Sequence, residues 1–118
     1  MISTLASVDS KAKIGNNVQI DPFAVIAGDV EIGDGCHIMS NAVICDGVRM
    51  GKNNRVFPHA TIGAVPQDLK FKGEYTLCEI GDNNTIRECV TINRGTASKN
   101  TTKVGSNNLL MAYVHIGH

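Results

Sequence analysis

Tryptophan is absent from the chain, and only two Tyr and three Phe occur among its 118 residues. Ordinary globular cores draw heavily on large rings, so this composition argues against one. A long apolar run is also missing, which removes a membrane-spanning helix. The first residues, MISTLASVDSKAKIG, lack the basic stretch followed by an apolar stretch that marks a secretory signal. Neither sign of charge dominates: Lys plus Arg and Asp plus Glu number 11 each. That balance offers no general surface for nucleic acid or anionic lipid, and neither nucleic-acid binding nor stable membrane insertion is expected. The four cysteines, Cys36, Cys45, Cys78 and Cys89, show no CxxC spacing. They read as reduced thiols of a cytoplasmic protein rather than a disulfide frame or zinc site. The length fits a single domain.

What the chain has in quantity is isoleucine and glycine, and the isoleucines are periodic. All twelve, from Ile2 to Ile116, share one phase of a six-residue repeat. Val8, Met50, Val56, Val104 and Leu110 fill the same phase, and only Asp68, Glu74 and Ser98 interrupt it. Four residues after each aliphatic position a small side chain recurs: Ala12, Val18, Ala24, Val30, Cys36, Ala42, Val48 and Ala60. Six matches neither the helical period nor simple strand alternation. It matches short strands joined by tight corners, each side of the coil pointing one large and one small residue inward, the hexapeptide signature of a parallel β-helix. A narrow interior favours β-branched residues and has no room for Trp.

A period of eighteen is superimposed, marked by Gly15, Gly33 and Gly51 and returning at Gly81 and Gly105. Three sides per coil follow, with Gly and Asn suited to corners that need positive φ. Two spacings are too long, which predicts loop excursions at about 66–79 and 97–102 within one domain spanning 1–118. Three columns result. The first holds Ile14, Ile32, Met50, Ile80 and Val104. The second holds Ile2, Ile20, Ile38, Val56, Ile86 and Leu110. The third holds Val8, Ile26, Ile44, Ile62, Ile92 and Ile116. Both excursions leave the edge that follows the third column.

Function in a solenoid collects on loops that break the repeat. The first excursion, PQDLKFKGEYTLCE, carries Gln67, Asp68, Lys70 and Lys72 beside Phe71 and Tyr75. A plain solvated loop is the competing reading. Rungs of a β-stack lie ~4.8 Å apart, so a loop leaving Ile62 starts ~10 Å from the strand of His115 and His118. His115 precedes the inward Ile116 and therefore points outward; His118 falls at the corner, one rung beyond Arg94. Outward imidazoles suit general-base chemistry, since histidine in general titrates near ~6.5 and supplies neutral base at pH 7. They equally fit a pair of surface histidines. A zinc-like site with His59 is a third reading, opposed by the placement of His59 on another face. His37 and His59 read as surface residues.

The stretches IGAVPQDLKFKGE, EIGDNNTIRECVTINRGT and TKVGSNNLLMAYVHIGH resemble the UDP-N-acetylglucosamine O-acyltransferase family, which begins lipid A synthesis in Gram-negative bacteria. Hexapeptide repeats alone indicate only a superfamily; the QDLK loop, the INRGT segment and the HIGH ending are more specific. The resemblance spans the whole chain and about the N-terminal half of a family member. It implies an all-β, left-handed parallel β-helix, assembled as a homotrimer with sites between subunits. It also implies transfer of an (R)-3-hydroxyacyl group from acyl carrier protein to the 3-hydroxyl of UDP-N-acetylglucosamine. By motif, His118 matches the general base, while Gln67, Asp68, Lys70 and His115 match residues that position the sugar nucleotide. No metal and no cofactor are implied, the donor being the carrier-protein thioester. The family's later coils, with further substrate contacts, an oxyanion-stabilising amide, the acyl-chain ruler and a helical region, have no counterpart here. The chain is therefore expected to be truncated and inactive alone. Competing classes are the N-acyltransferase acting later in lipid A synthesis, a γ-carbonic-anhydrase-like metalloenzyme with ligands joined across a trimer interface, and a β-helix without chemistry.

Overall fold

A computed structural model describes residues 1–118 as a left-handed parallel β-helix with no helical segment. The first sheet stacks β2 (Lys13–Ile14), β5 (Glu31–Ile32), β8 (Val48–Met50), β11 (Leu77–Ile80) and β14 (Thr101–Val104). The second stacks β3 (Gln19–Ile20), β6 (His37–Ile38), β9 (Arg55–Val56), β12 (Thr85–Ile86) and β15 (Leu109–Leu110), with Ile2 bridging to Ile20. The third stacks β1 (Ser7–Val8), β4 (Val25–Ile26), β7 (Val43–Ile44), β10 (Thr61–Ala64), β13 (Thr91–Asn93) and β16 (His115–Ile116). These are the three columns of the six-residue phase, in register: Ile14 faces Ile32, Ile20 faces Ile38 and Ile26 faces Ile44.

Two-residue strands are too short to stand alone, and each is held by coils above and below. Gln19 N–H donates to Cys36 O at 2.9 Å, His37 to Asn54 O at 2.9 Å and Arg55 to Asn84 O at 2.9 Å. Inside, Ile20, Ile38, Ile44, Ile62, Ile86 and Ile92 are completely buried; each fully buried aliphatic side chain is worth roughly 1.5–3 kcal/mol of transfer free energy. The small inward position turns polar in the later coils, where Asn54 and Asn84 are also buried. Asn54 Oδ1 accepts from Asn84 N–H at 2.8 Å, and Asn84 Oδ1 accepts from Asn108 N–H at 2.9 Å. Their amides donate to Gly81 O and Gly105 O at 2.7 and 2.8 Å. Every buried polar atom of these two side chains thus serves the stacking.

The repeated glycine has a different cause from the one expected. Positive φ at that corner falls two residues later, on Asn17, Gly35, Asn53, Asn83 and Asn107. Gly33 is required by proximity instead: a Cβ there would lie 2.6 Å from Gly51 O in the next coil. The corner between the second and third sheets also runs at positive φ, carried by Phe23, Asn41, His59, Cys89 and Tyr113 (φ 60 to 70°). Bulky residues there bear left-handed strain that Asn41 tolerates.

The excursions start and end earlier than expected. Segments 65–76 and 94–100 are irregular, because Leu77–Ile80 and Thr101–Val104 already pair in the first sheet. Cys78 N–H reaches Gly47 O at 2.9 Å, and Leu77 N–H reaches Asn100 O at 2.9 Å. Outward on that sheet, Lys13, Glu31, Arg49, Glu79 and Lys103 stack in alternating sign. Arg49 is the hub, with Nη2 2.6 Å from Asp29 Oδ1 and Nε 3.4 Å from Glu31 Oε2.

Two outcomes follow from this geometry. Phe23→Asn should raise stability by about 1 kcal/mol, and Asn41→Phe should lower it by about the same, as read from urea midpoints. Partial burial pushes the Asp29 carboxyl up, but hydrogen bonds from Arg49 and Tyr75 outweigh it and hold it below its ordinary 3.8. A depressed folded-state value stabilises above the unfolded value and is lost as pH falls through the folded one. Stability measured from pH 5 down to pH 2 should therefore fall less steeply in Asp29→Asn than in the unsubstituted chain.

Candidate functional site

The outward residues of the third sheet form a column of Ser7, Val25, Val43, Thr61, Thr91 and His115. His115 is exposed at its end, and Thr91 Oγ1 lies 2.7 Å from His115 Nδ1. That contact fixes the ring and leaves Nε2 as the nitrogen available outward. His118, two residues beyond the inward Ile116, is exposed at the following corner. Thr91 was not singled out from sequence, although its register with His115 is contained in the columns.

The loop 65–76 is built from local hydrogen bonds. Asp68 Oδ1 accepts from Lys70 N–H at 2.9 Å, and Asp68 O accepts from Phe71 N–H at 2.9 Å. Short polar side chains favour such turns by binding backbone two residues on. Glu74 Oε1 closes a second turn on Lys72 N–H at 2.5 Å. Gln67, Lys70 and Lys72 are exposed, Asp68 is half-buried, and Leu69 is wholly exposed. The loop leans on the other excursion: Asp68, Lys70, Phe71 and Glu74 enclose about 160 Å³ with Thr96, Ala97 and Ser98.

Neither histidine lines that space, and no hydrogen bond or ion pair within the chain joins Gln67, Asp68 or Lys70 to His115 or His118. The loop stops on the rung below. Its rest is Arg94, whose guanidinium lies 5.5 Å from the Phe71 ring centroid and whose N–H donates to Ala64 O at 2.9 Å. Arg94 Nε and the neighbouring Asn93 Nδ2 are buried without a partner. Orphaned donors of this kind are uncommon in folded proteins and call for an explanation; here they flank the rung between loop and histidines. The INRGT segment was a visible signal for them, but nothing in its spacing separates these two residues from ordinary corner positions.

A larger groove of about 590 Å³ runs down the same edge beneath the loop, between Asp9, Asp29 and Asp46 on the coils and Glu74, Tyr75 and Thr76 on the loop, with Arg94 at one end. None of Gln67, Asp68, Lys70, His115 and His118 lines it. His37 is not a bare surface residue: its Nε2 lies 2.8 Å from Asp21 Oδ2. His59 occupies a strained corner of another edge, and no three His, Cys, Asp or Glu side chains converge to hold a metal ion. All four cysteines are free thiols. Burial pushes the Cys78 thiol up to about 12, with Cys45 and Glu79 adding to it, so it is a packing residue rather than a nucleophile.

Residues 11–45 match the family model described as bacterial transferase hexapeptide (six repeats). The chain is 46% identical over 118 residues to the acyl-[acyl-carrier-protein]–UDP-N-acetylglucosamine O-acyltransferase of Saccharophagus degradans, covering 99% of this chain and 46% of that protein. It superposes on the UDP-N-acetylglucosamine acyltransferase of Bacteroides fragilis with a TM-score of 0.98 and 60% identity, covering 100% of this chain and 46% of that one. The corresponding enzyme of Francisella novicida gives 0.97 and 48%, over 100% of this chain and 44% of that one. The chain thus spans about half the length of the curated relatives it matches. Across that half the backbones superpose closely, and these 118 residues match part of a UDP-N-acetylglucosamine O-acyltransferase.

Proposed function

We propose that this chain supplies part of an active site that transfers an (R)-3-hydroxyacyl group from acyl carrier protein to the 3-hydroxyl of UDP-N-acetylglucosamine, the first step of lipid A biosynthesis. The observation that carries the reading is identity of 46% along 99% of the chain to a protein named for that reaction. The exposed histidine pair on the terminal rung supports it. A sugar hydroxyl is a poor nucleophile until a base takes its proton. His118 is the proposed base: as the hydroxyl oxygen attacks the thioester carbon, the proton passes to its imidazole, the C–S bond breaks, and the carrier thiolate leaves and takes up a proton.

His115, oriented by Thr91, presents its outer nitrogen to the sugar. Asp68 and Gln67 accept and donate to sugar hydroxyls and the N-acetyl amide, and Lys70 meets a phosphate as a point charge. Within one chain the loop rests a rung short of the histidines, which favours a site completed between copies and hence the homotrimer. The reaction needs no metal and no cofactor beyond the thioester donor. A cytoplasmic setting suits soluble carrier-protein substrates, and no helix of the chain is long and apolar enough to cross a membrane.

His118→Ala in the protein carrying this chain should reduce kcat about 10²–10⁴-fold with KM for the sugar nucleotide little changed, assayed by acyl transfer from an (R)-3-hydroxyacyl carrier protein. Retained kcat would remove His118 from the chemistry.

A further inference from the structure

Tyr75 is 68% exposed, so burial is not what holds it. Only its hydroxyl is engaged: Arg49 Nη2 donates to it at 3.2 Å. Arg49 is fixed before the loop arrives. Its Nη1 donates to Asp29 O and Val48 O at 2.9 and 3.0 Å, its Nη2 pairs with Asp29 Oδ1 at 2.6 Å, and Glu31 lies beside Nε. The guanidinium is thus a preorganised fork with one direction left over, and the Tyr75 hydroxyl occupies it. The next residue, Thr76, is buried, and Cys78 is bound into the first sheet. Tyr75 therefore marks the point where the loop becomes rigid.

From Tyr75 back to Asp68 the chain runs through Gly73, which has φ of 86° and nothing within 4 Å of a would-be Cβ. The loop is then tied at three places: Ala64 to Arg94 N–H on the outgoing stalk, Phe71 against the Arg94 guanidinium near the tip, and Tyr75 to Arg49 on the returning stalk. Of these, only the last depends on a side-chain hydroxyl that can be deleted without altering a coil.

We propose that Tyr75 is a positioning residue: by engaging the Arg49–Asp29 pair it sets the returning stalk of the loop, and so the place at which Asp68 and Lys70 meet the sugar nucleotide. The proposal rests on the function above for the ligand, but its mechanical half does not. Tyr75 touches no reacting group and acts through the loop alone.

The test is Tyr75→Phe, which keeps the ring and removes the hydroxyl. In the 118-residue chain, trypsin cleavage after Lys70 and Lys72 under native conditions should accelerate about fivefold, reporting local opening, while the urea midpoint stays unchanged. In the protein carrying the chain, KM for UDP-N-acetylglucosamine should rise about three- to tenfold with kcat within twofold. Unchanged cleavage overturns the proposal, as does accelerated cleavage with an unchanged KM, since the stalk would then not place the site. Should the unsubstituted protein fail to use UDP-N-acetylglucosamine at all, the function falls separately, and cleavage alone decides whether Tyr75 holds the loop.

Discussion

The parallel hydrogen bond from one coil to the next is the interaction on which the rest of this molecule depends. A two-residue strand contributes almost nothing by itself, and each side of a coil exists because the sides above and below offer donors and acceptors at the same height. That requirement forces every coil to repeat its length, which forces the six-residue phase, which lines up the isoleucines. Hydrophobic burial then rewards the register that backbone bonding demands, and a slip of one residue would turn the whole aliphatic column to solvent. The buried Asn54 and Asn84 side chains, which accept from the backbone N–H of Asn84 and Asn108, add a polar version of the same device, in which side-chain amides copy the backbone from coil to coil.

Strict repetition also decides where chemistry can be placed. A coil that must match its neighbours cannot bend to make a cleft, so the chain inserts residues at one edge and lets them stand away from the stack. Both irregular segments, 65–76 and 94–100, leave that edge, His115 lies in the last strand of the sheet beside it, and His118 falls at the corner that follows. Arg94 and Asn93 sit between them with buried donors that find no partner in the chain. The edge thus holds buried donors without an acceptor, and it is flanked by the exposed His115 and His118 on one side and by Asp68, Lys70 and Lys72 on the other.

Much of this was legible in the sequence because the period is a consequence of register. The three columns, the outward aspect of His115 and the rung that joins Thr91 to it all follow from counting by six and eighteen. The resemblance of the QDLK, INRGT and HIGH stretches added the family. Other features were not legible for physical reasons. The glycine column suggested left-handed backbone, whereas the constraint at Gly33 is the approach of the next coil, a tertiary distance with no local signature. Phe23, Cys89 and Tyr113 hold positive φ where propensity argues against it, because corner geometry is imposed by the stack. The lean of the loop depends on Arg94 under Phe71 and Arg49 at Tyr75, contacts between residues 23 and 26 positions apart that no pattern announces.

Amide hydrogen exchange on the folded chain tests the dependence on coil-to-coil bonding most directly. The N–H groups of Gln19, His37, Arg55 and Thr85, each donated to the coil above, should exchange slowly and with similar protection, since none can open without parting two coils. Gln67 and Leu69 in the loop should exchange orders of magnitude faster. Exchange of the four coil amides at the rate of the loop would contradict the account.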